Sequence, residues 1–205
     1  MPHSGGKTDV NALLQKAGID EATAEAVISI DALMQTWRRR AMRRELGQRA
    51  LVDLKVGIDL AQFDVLVAIE GPENQFGESG GGETMVATVA ERLGIDPSRA
   101  SRIVSEMVEA GYARRAVSQA DGRRTIIELT ESGTAVLEAV RAYKFLILGD
   151  FLAGWTQQEI EAFVPLLHKY GQWPDHIEEG VAKFADDIAL LGGAIEKARQ
   201  KPSGV

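Results

Sequence analysis

Residues 84–129 change their apolar repeat once, from a helical period to a period of two, and this switch restricts the chain to a small set of folds. Thr84 stands where it can cap a helix carrying Val86, Val89, Ala90 and Leu93 on one face, and Gly94 supplies the positive-φ position that ends it. Asp96 is then an N-cap, with Pro97 at the first helical position, where a missing N–H costs nothing. Behind this start, Ala100, Ile103, Val104 and Met107 form an apolar stripe, while Ser98, Ser101, Arg102 and Ser105 share another face. After Gly111 the alternation becomes twofold: 112–117 and 124–129 read as strands around the turn-forming residues 118–122. The order helix, turn, helix, hairpin predicts a mainly α protein with a small β wing.

The flanks read as helices. Val10, Leu13, Leu14 and Ala17 precede a stop at Gly18, and Asp20 offers an N-cap to a long segment bearing Ala24, Val27, Ile28, Leu33, Met34 and Trp37. That segment is expected to be one helix reaching Gly47, longer than a small domain needs and so suited to meeting a partner. Asp59 with Gln62 forms a capping-box pattern before Leu60, Phe63, Val65, Leu66 and Val67, and Gly71 with Pro72 ends that helix. Residues 71–82, GPENQFGESGGG, are too rich in glycine to order cheaply and are expected to form a mobile surface loop. No GxxxxGK[ST] follows, so a phosphate-cradling loop is not supported.

Thr130 caps a helix with Val136, Leu137, Val140, Tyr143, Leu146 and Ile147, expected to run to about Leu152. Thr156 with Glu159 caps the next, and Trp173 with Pro174 interrupts it after Tyr170. Ile177, Val181, Phe184, Ile188, Leu191 and Ile195 then alternate spacings of four and three, the seam of a coiled contact. These patterns divide the chain into 1–58, N-terminal helices; 59–130, a winged helix-turn-helix; and 131–205, C-terminal helices.

Charge is unevenly distributed. The net charge is −7, whereas residues 97–124 hold six arginines against three acidic residues. A cationic segment in an acidic chain argues against indiscriminate coating of nucleic acid and for a local, selective contact. A helix entering the major groove must be slim; Ser98, Arg99, Ser101, Arg102 and Ser105 meet that demand, and arginine bonds guanine O6 and N7 bidentately. The alternative for such a helix alone is an ordinary solvated face. Arg123 and Arg124 follow Asp121 at the end of the hairpin turn, where an arginine can enter the narrow minor groove and Asp121 can hold a guanidinium in a fork. The alternative there is a surface salt bridge of small value.

Three ordered signals, ERLGIDPSRASRIVSEMVEAGYARR, DGRR and LTESG, resemble the recognition helix, the DxR wing and the LT-x-x-G helix start of the MarR family. The resemblance implies a winged helix-turn-helix plus a helical dimerisation region built from residues 1–58 and 131–205. It places Ser101 and Arg102 on recognition-helix positions, Asp121 and Arg123 on the wing pair, and Arg115 near the strand arginine. It further implies a transcription regulator, a repressor, that binds double-stranded DNA as a homodimer at a near-palindrome, with recognition helices roughly 34 to 36 Å apart. The polar start of the sequence and the lack of a run of about 18 apolar residues lead to the expectation of a cytoplasmic protein. A small aromatic effector would release the DNA by shifting the lobe spacing. The glycine-rich run and the tail beyond Tyr170 depart from the family pattern.

For that effector, Met34, Trp37, Arg38 and Phe63 are candidate ligand-binding residues, although an apolar stripe also serves as core. The cluster Arg38, Arg39, Arg40, Arg43 and Arg44 admits three readings: complement to a helix dipole, phosphate contact, or an acidic-ligand site. Nothing points to an enzyme. There is no cysteine, and His3, His168 and His176 do not fall in HExxH or another ligand spacing. No cofactor, metal or membrane segment is expected. The competing function is a winged helix used only for protein contacts, which the serine and arginine face argues against.

Overall fold

Caps written into the sequence set where most helices begin. Asp20 accepts the Thr23 amide at 3.0 Å and the Thr23 hydroxyl at 2.6 Å; helix α1 (Val10–Lys16) precedes it and α2 (Glu21–Arg43) follows it. The computed structural model describes residues 10–71 and 82–200. The expected mobile loop therefore lies, apart from its ends at Gly71 and Gly82, outside the described residues, as does His3.

The long helix does not reach Gly47. It stops at Arg43, Arg44 takes a left-handed conformation (φ 52), and α3 (Glu45–Asp53) starts afresh. Left-handed backbone is costly for a residue with a Cβ. The Arg44 guanidinium, however, forks onto both carboxylate oxygens of Asp64 in α4 (Leu60–Glu70), a long-range tie that helical periodicity does not register. The α4 capping box forms as read: Asp59 Oδ1 accepts from the Gln62 amide at 2.8 Å, and Gln62 Oε1 accepts from the Asp59 amide at 3.1 Å.

Next come α5 (Val86–Leu93), ended by left-handed Gly94, and α6 (Pro97–Glu109), begun by Asp96. Thr84 does not cap α5, whose N-cap is Met85. Instead Thr84 is buried, its hydroxyl donating to the Ile69 carbonyl at 3.2 Å and accepting from Arg92 Nη1 at 3.1 Å, while its carbonyl accepts the Ile127 amide at 2.7 Å. Interior partners hold it away from the solvated helix end.

The hairpin pairs β1 (Ala113–Val117) with β2 (Thr125–Leu129) antiparallel, Ala113 opposite Leu129 and Val117 opposite Thr125. Each strand is one residue shorter than the alternation predicts. The Tyr112 amide closes α6 by donating to Met107, and the Arg124 amide closes the wing turn by donating to Asp121.

Helix α7 (Glu131–Ala153) begins at Thr130, which accepts the Gly133 amide at 3.2 Å and donates its hydroxyl to the Gly111 carbonyl at 2.7 Å. There follow α8 (Gln157–Gly171) behind the Thr156–Glu159 box, a 3-10 turn at Trp173–His176, α9 (Ile177–Lys183) and α10 (Ala185–Gln200). The apolar series expected as one seam is thus split at Phe184, because side-chain spacing is blind to a single non-helical residue.

The chain forms two compact units, Met1–Arg40 with Trp155–Val205, and Ala41–Gly154. In the second, Val65, Leu66, Val89, Ala100, Ile103, Val104, Met107, Ile127 and Leu137 form one buried cluster. Fully burying a side chain such as Leu66 contributes on the order of 1.5–3 kcal/mol, so this cluster fixes α6 and the hairpin against α4 and α5. In the first unit, Lys16 Nζ reaches Asp187 at 3.7 Å, and the Trp155 and Phe163 rings meet edge to face at 5.2 Å. Many large apolar side chains of that unit, including Leu33, Trp37, Leu166 and Leu190, are exposed. Among the described residues, no helix is long and apolar enough to cross a membrane.

Candidate nucleic-acid interface

Helix α6 starts tightly. Asp96 accepts the amides of Ser98 at 2.8 Å and Arg99 at 3.4 Å, and also the Ser98 hydroxyl. The hydroxyl above all, then the two amides, holds the Asp96 carboxyl below its ordinary value of 3.8. The Ser98 hydroxyl is therefore engaged in the cap, a use that its place on the exposed face does not reveal. Arg99, Ser101 and Arg102 are exposed on the helix, and Ser105 is half-buried.

Two ties orient the arginines. Arg102 Nη1 lies 2.7 Å from Glu106 Oε1, one turn on, and the other Glu106 oxygen accepts from Gln62 Nε2 at 3.1 Å. Gln62 belongs to the α4 capping box, so that box is continuous with the partner of Arg102. From the hairpin, Arg115 Nη2 donates to Ser105 Oγ at 3.1 Å. Arg114 instead pairs with its cross-strand neighbour Glu128 at 2.8 Å.

At the wing, the ion pair differs from the expected one. Asp121 Oδ2 lies 3.3 Å from Arg124 Nε, whereas Arg123 gives Asp121 Oδ1 only its backbone amide, at 3.1 Å. The turn accounts for this: Arg124 returns its amide to the Asp121 carbonyl at 2.9 Å, which brings its side chain back over the carboxylate. Among the described residues, the Arg123 side chain has no acidic partner.

Sequence reasoning missed Glu83. Its carboxylate accepts from the Ser118 hydroxyl and from the amides of Gln119 at 2.7 Å and Ala120 at 3.4 Å. These bonds, the hydroxyl first, hold its carboxyl below the ordinary 4.5. An acid so far from the wing carries no spacing signal.

The candidate ligand residues fall in different units. Met34 is half-buried and Trp37 and Arg38 are exposed on α2, in the first unit. Phe63, in the second, packs against the apolar clusters. Of the arginine cluster, Arg44 is held by Asp64, Arg43 reaches Glu45 at 3.6 Å, and Arg39 donates to Thr36. Among the described residues, no three potential ligands gather as a metal site.

Residues 56–124 match the model of the MarR family, a span that holds α4, α5, α6, β1 and the wing turn. Over this third of the chain the winged lobe is similar to the MarR family. The MarR fold extends further along the chain in solved structures. A MarR family protein from Bacillus stearothermophilus superposes with a TM-score of 0.58 at 20% identity, covering 74% of this chain and 96% of its own. YusO from Bacillus subtilis gives 0.54 at 21% identity, covering 73% and 97%. A transcriptional regulator from Thermotoga maritima gives 0.54 at 20%, covering 71% and 96%. At these identities the likeness is one of fold. A comparison with curated proteins finds no match. In this fold α6 is the second helix of the helix-turn-helix and the β1–β2 hairpin is the wing.

Proposed function

We propose that this chain is a sequence-specific DNA-binding transcription regulator that acts in the cytoplasm as a homodimer on a near-palindromic operator, most simply as a repressor. The observation that carries the reading is the joining of recognition helix and wing into one cationic surface, through the 3.1 Å bond from Arg115 to Ser105. Arg102 stands where a slim helix can offer a guanidinium to guanine, and Arg123 projects from the wing tip, suited to the negative potential of a narrow minor groove. Arg99, Arg115 and Arg124 suit phosphates, which position the protein without reading sequence.

Dimerisation is supported by apolar surface that a monomer would leave in water: Leu33, Trp37, Leu166 and Leu190, with Leu146 and Phe151 on α7. For an effector, Met34 and Trp37 offer apolar surface and Arg38 a cation on α2, chemistry that fits a small aromatic anion. Such a ligand regulates by binding one conformation better than the other.

Selection of duplexes from a randomised pool tests it. The full chain should enrich a two-fold-related motif whose half-sites lie about one helical turn apart, and sedimentation should give a dimer. Failure to enrich any sequence, or a strictly monomeric chain, would contradict it.

A further inference from the structure

Glu83 lies outside both the helix-turn-helix and the wing, yet its carboxylate is bonded to the wing at three points. Oε2 accepts the Ser118 hydroxyl, and Oε1 accepts the Gln119 amide at 2.7 Å and the Ala120 amide at 3.4 Å. Ser118, itself buried, passes the constraint outward: its Oγ accepts the amides of Ala120 at 3.1 Å and Asp121 at 2.9 Å. Asp121 then orients both wing arginines, Arg123 through its amide and Arg124 through its amide and guanidinium.

Two features separate this tether from ordinary turn chemistry. It joins residues 35 apart in sequence, so its closure is opposed by chain entropy and does not arise from local propensity. Its acceptor is also ionised, and hydrogen bonds to a charged acceptor are about twice as strong as neutral ones. Consecutive backbone N–H groups of a turn make an anion-binding concavity, and here a side chain from elsewhere in the domain fills it. Glu83 is in turn planted on the core by its neighbour Thr84, which bonds Ile69 and Ile127.

The geometry points to Glu83 as a positioning residue for DNA recognition: anchored on the domain core, its carboxylate fixes the turn that carries Arg123 and Arg124, so that the wing meets the groove already oriented. This inference rests on the DNA-binding function proposed above. A two-stranded hairpin is marginal alone, and a loose tip would have to be ordered at the moment of binding, at the expense of affinity.

The test compares the full-length wild type with Glu83→Ala and Glu83→Gln. The probe is a duplex that the wild type enriches from a random pool, flanked either by A-tracts or by GC-rich steps. Glu83→Ala should lose roughly ten-fold in affinity and its discrimination between flanks, with Glu83→Gln, which retains one acceptor oxygen, losing less. In a background carrying Arg123→Ala and Arg124→Ala, Glu83→Ala should have no further effect, because Glu83 acts through those side chains. Amide exchange at Gln119, Ala120 and Asp121 should quicken in the DNA-free Glu83→Ala chain. Wild-type affinity and flank discrimination in Glu83→Ala would overturn the inference, as would an equal loss in the arginine-free background, which would mark a general role in stability. If the wild type enriches no duplex, the DNA-binding function fails and the inference with it; if it does and Glu83→Ala binds equally well, only the inference fails.

Discussion

The guanidinium of Arg115 donates to the hydroxyl of Ser105 across 3.1 Å, joining the first strand of the wing to helix α6. The bond fixes the spacing of the two surfaces that the proposed function assigns to neighbouring parts of one duplex. It uses one donor of five, leaving Arg115 able to face phosphate.

Replacing either partner separates the two roles. Arg115→Ala should weaken binding about equally across sequences and reduce the slope of log affinity against log salt by about one. Ser105→Ala, which removes no charge, should leave that slope unchanged while lowering affinity modestly. Salt titrations of both variants on one duplex check this, and identical slopes for wild type and Arg115→Ala would remove Arg115 from the interface.

Arg102 should behave differently. If it reads a base, Arg102→Ala costs about 1 to 3 kcal/mol of specific binding and relaxes preference at one position of each half-site. Glu106→Gln retains the Gln62 contact but weakens the ion pair that aims Arg102, so it should relax the same position by a smaller amount. Affinity measured on a set of singly substituted operators decides, and a uniform loss across the set would reassign Arg102 to phosphate.

Gly133 explains why the helix after the wing starts as it does. A Cβ at this residue would stand 2.1 Å from the Tyr112 carbonyl oxygen, a backbone atom that cannot swing aside. Gly133→Ala should therefore destabilise the domain by at least the roughly 1–3 kcal/mol typical of overpacking, read as a lower denaturation midpoint. An unchanged midpoint would mean that α7 is not seated on the strand entry.

Arg44 combines a left-handed backbone with a fork onto Asp64, so substitution by Ala and by Gly separates the backbone effect from the loss of the fork. Arg44→Ala loses the fork and keeps the strain; Arg44→Gly loses the fork and relieves it. Arg44→Gly should be the more stable by about 1 kcal/mol, and denaturant midpoints of the pair measure it. Equal midpoints would indicate that the break between α2 and α3 does not depend on this conformation.

What could be read in the residues alone was local. Asp59 with Gln62, Asp96 with Pro97, Thr130 and Thr156 with Glu159 each announce a helix start through a partner three positions away or nearer. The serine and arginine face of α6 follows from the apolar stripe opposite it. The features that escaped are long-range: Arg44 with Asp64, Thr84 with Ile69 and Ile127, and Glu83 with Ser118. Each breaks or replaces a local preference with a contact whose other half lies 15 or more positions away. The exchange of Arg123 for Arg124 as the partner of Asp121 is subtler, since both lie within reach and only the turn geometry chooses between them.

The most direct measurement is the affinity of the full chain for a duplex across a range of salt, for the wild type and for a variant lacking both Arg102 and Arg123. A steep decline of log affinity with log salt is predicted for the wild type, with a slope shallower in the double variant and a preference for the enriched sequence largely lost. A flat wild-type response, or a double variant that keeps the wild-type slope and sequence preference, would contradict the account.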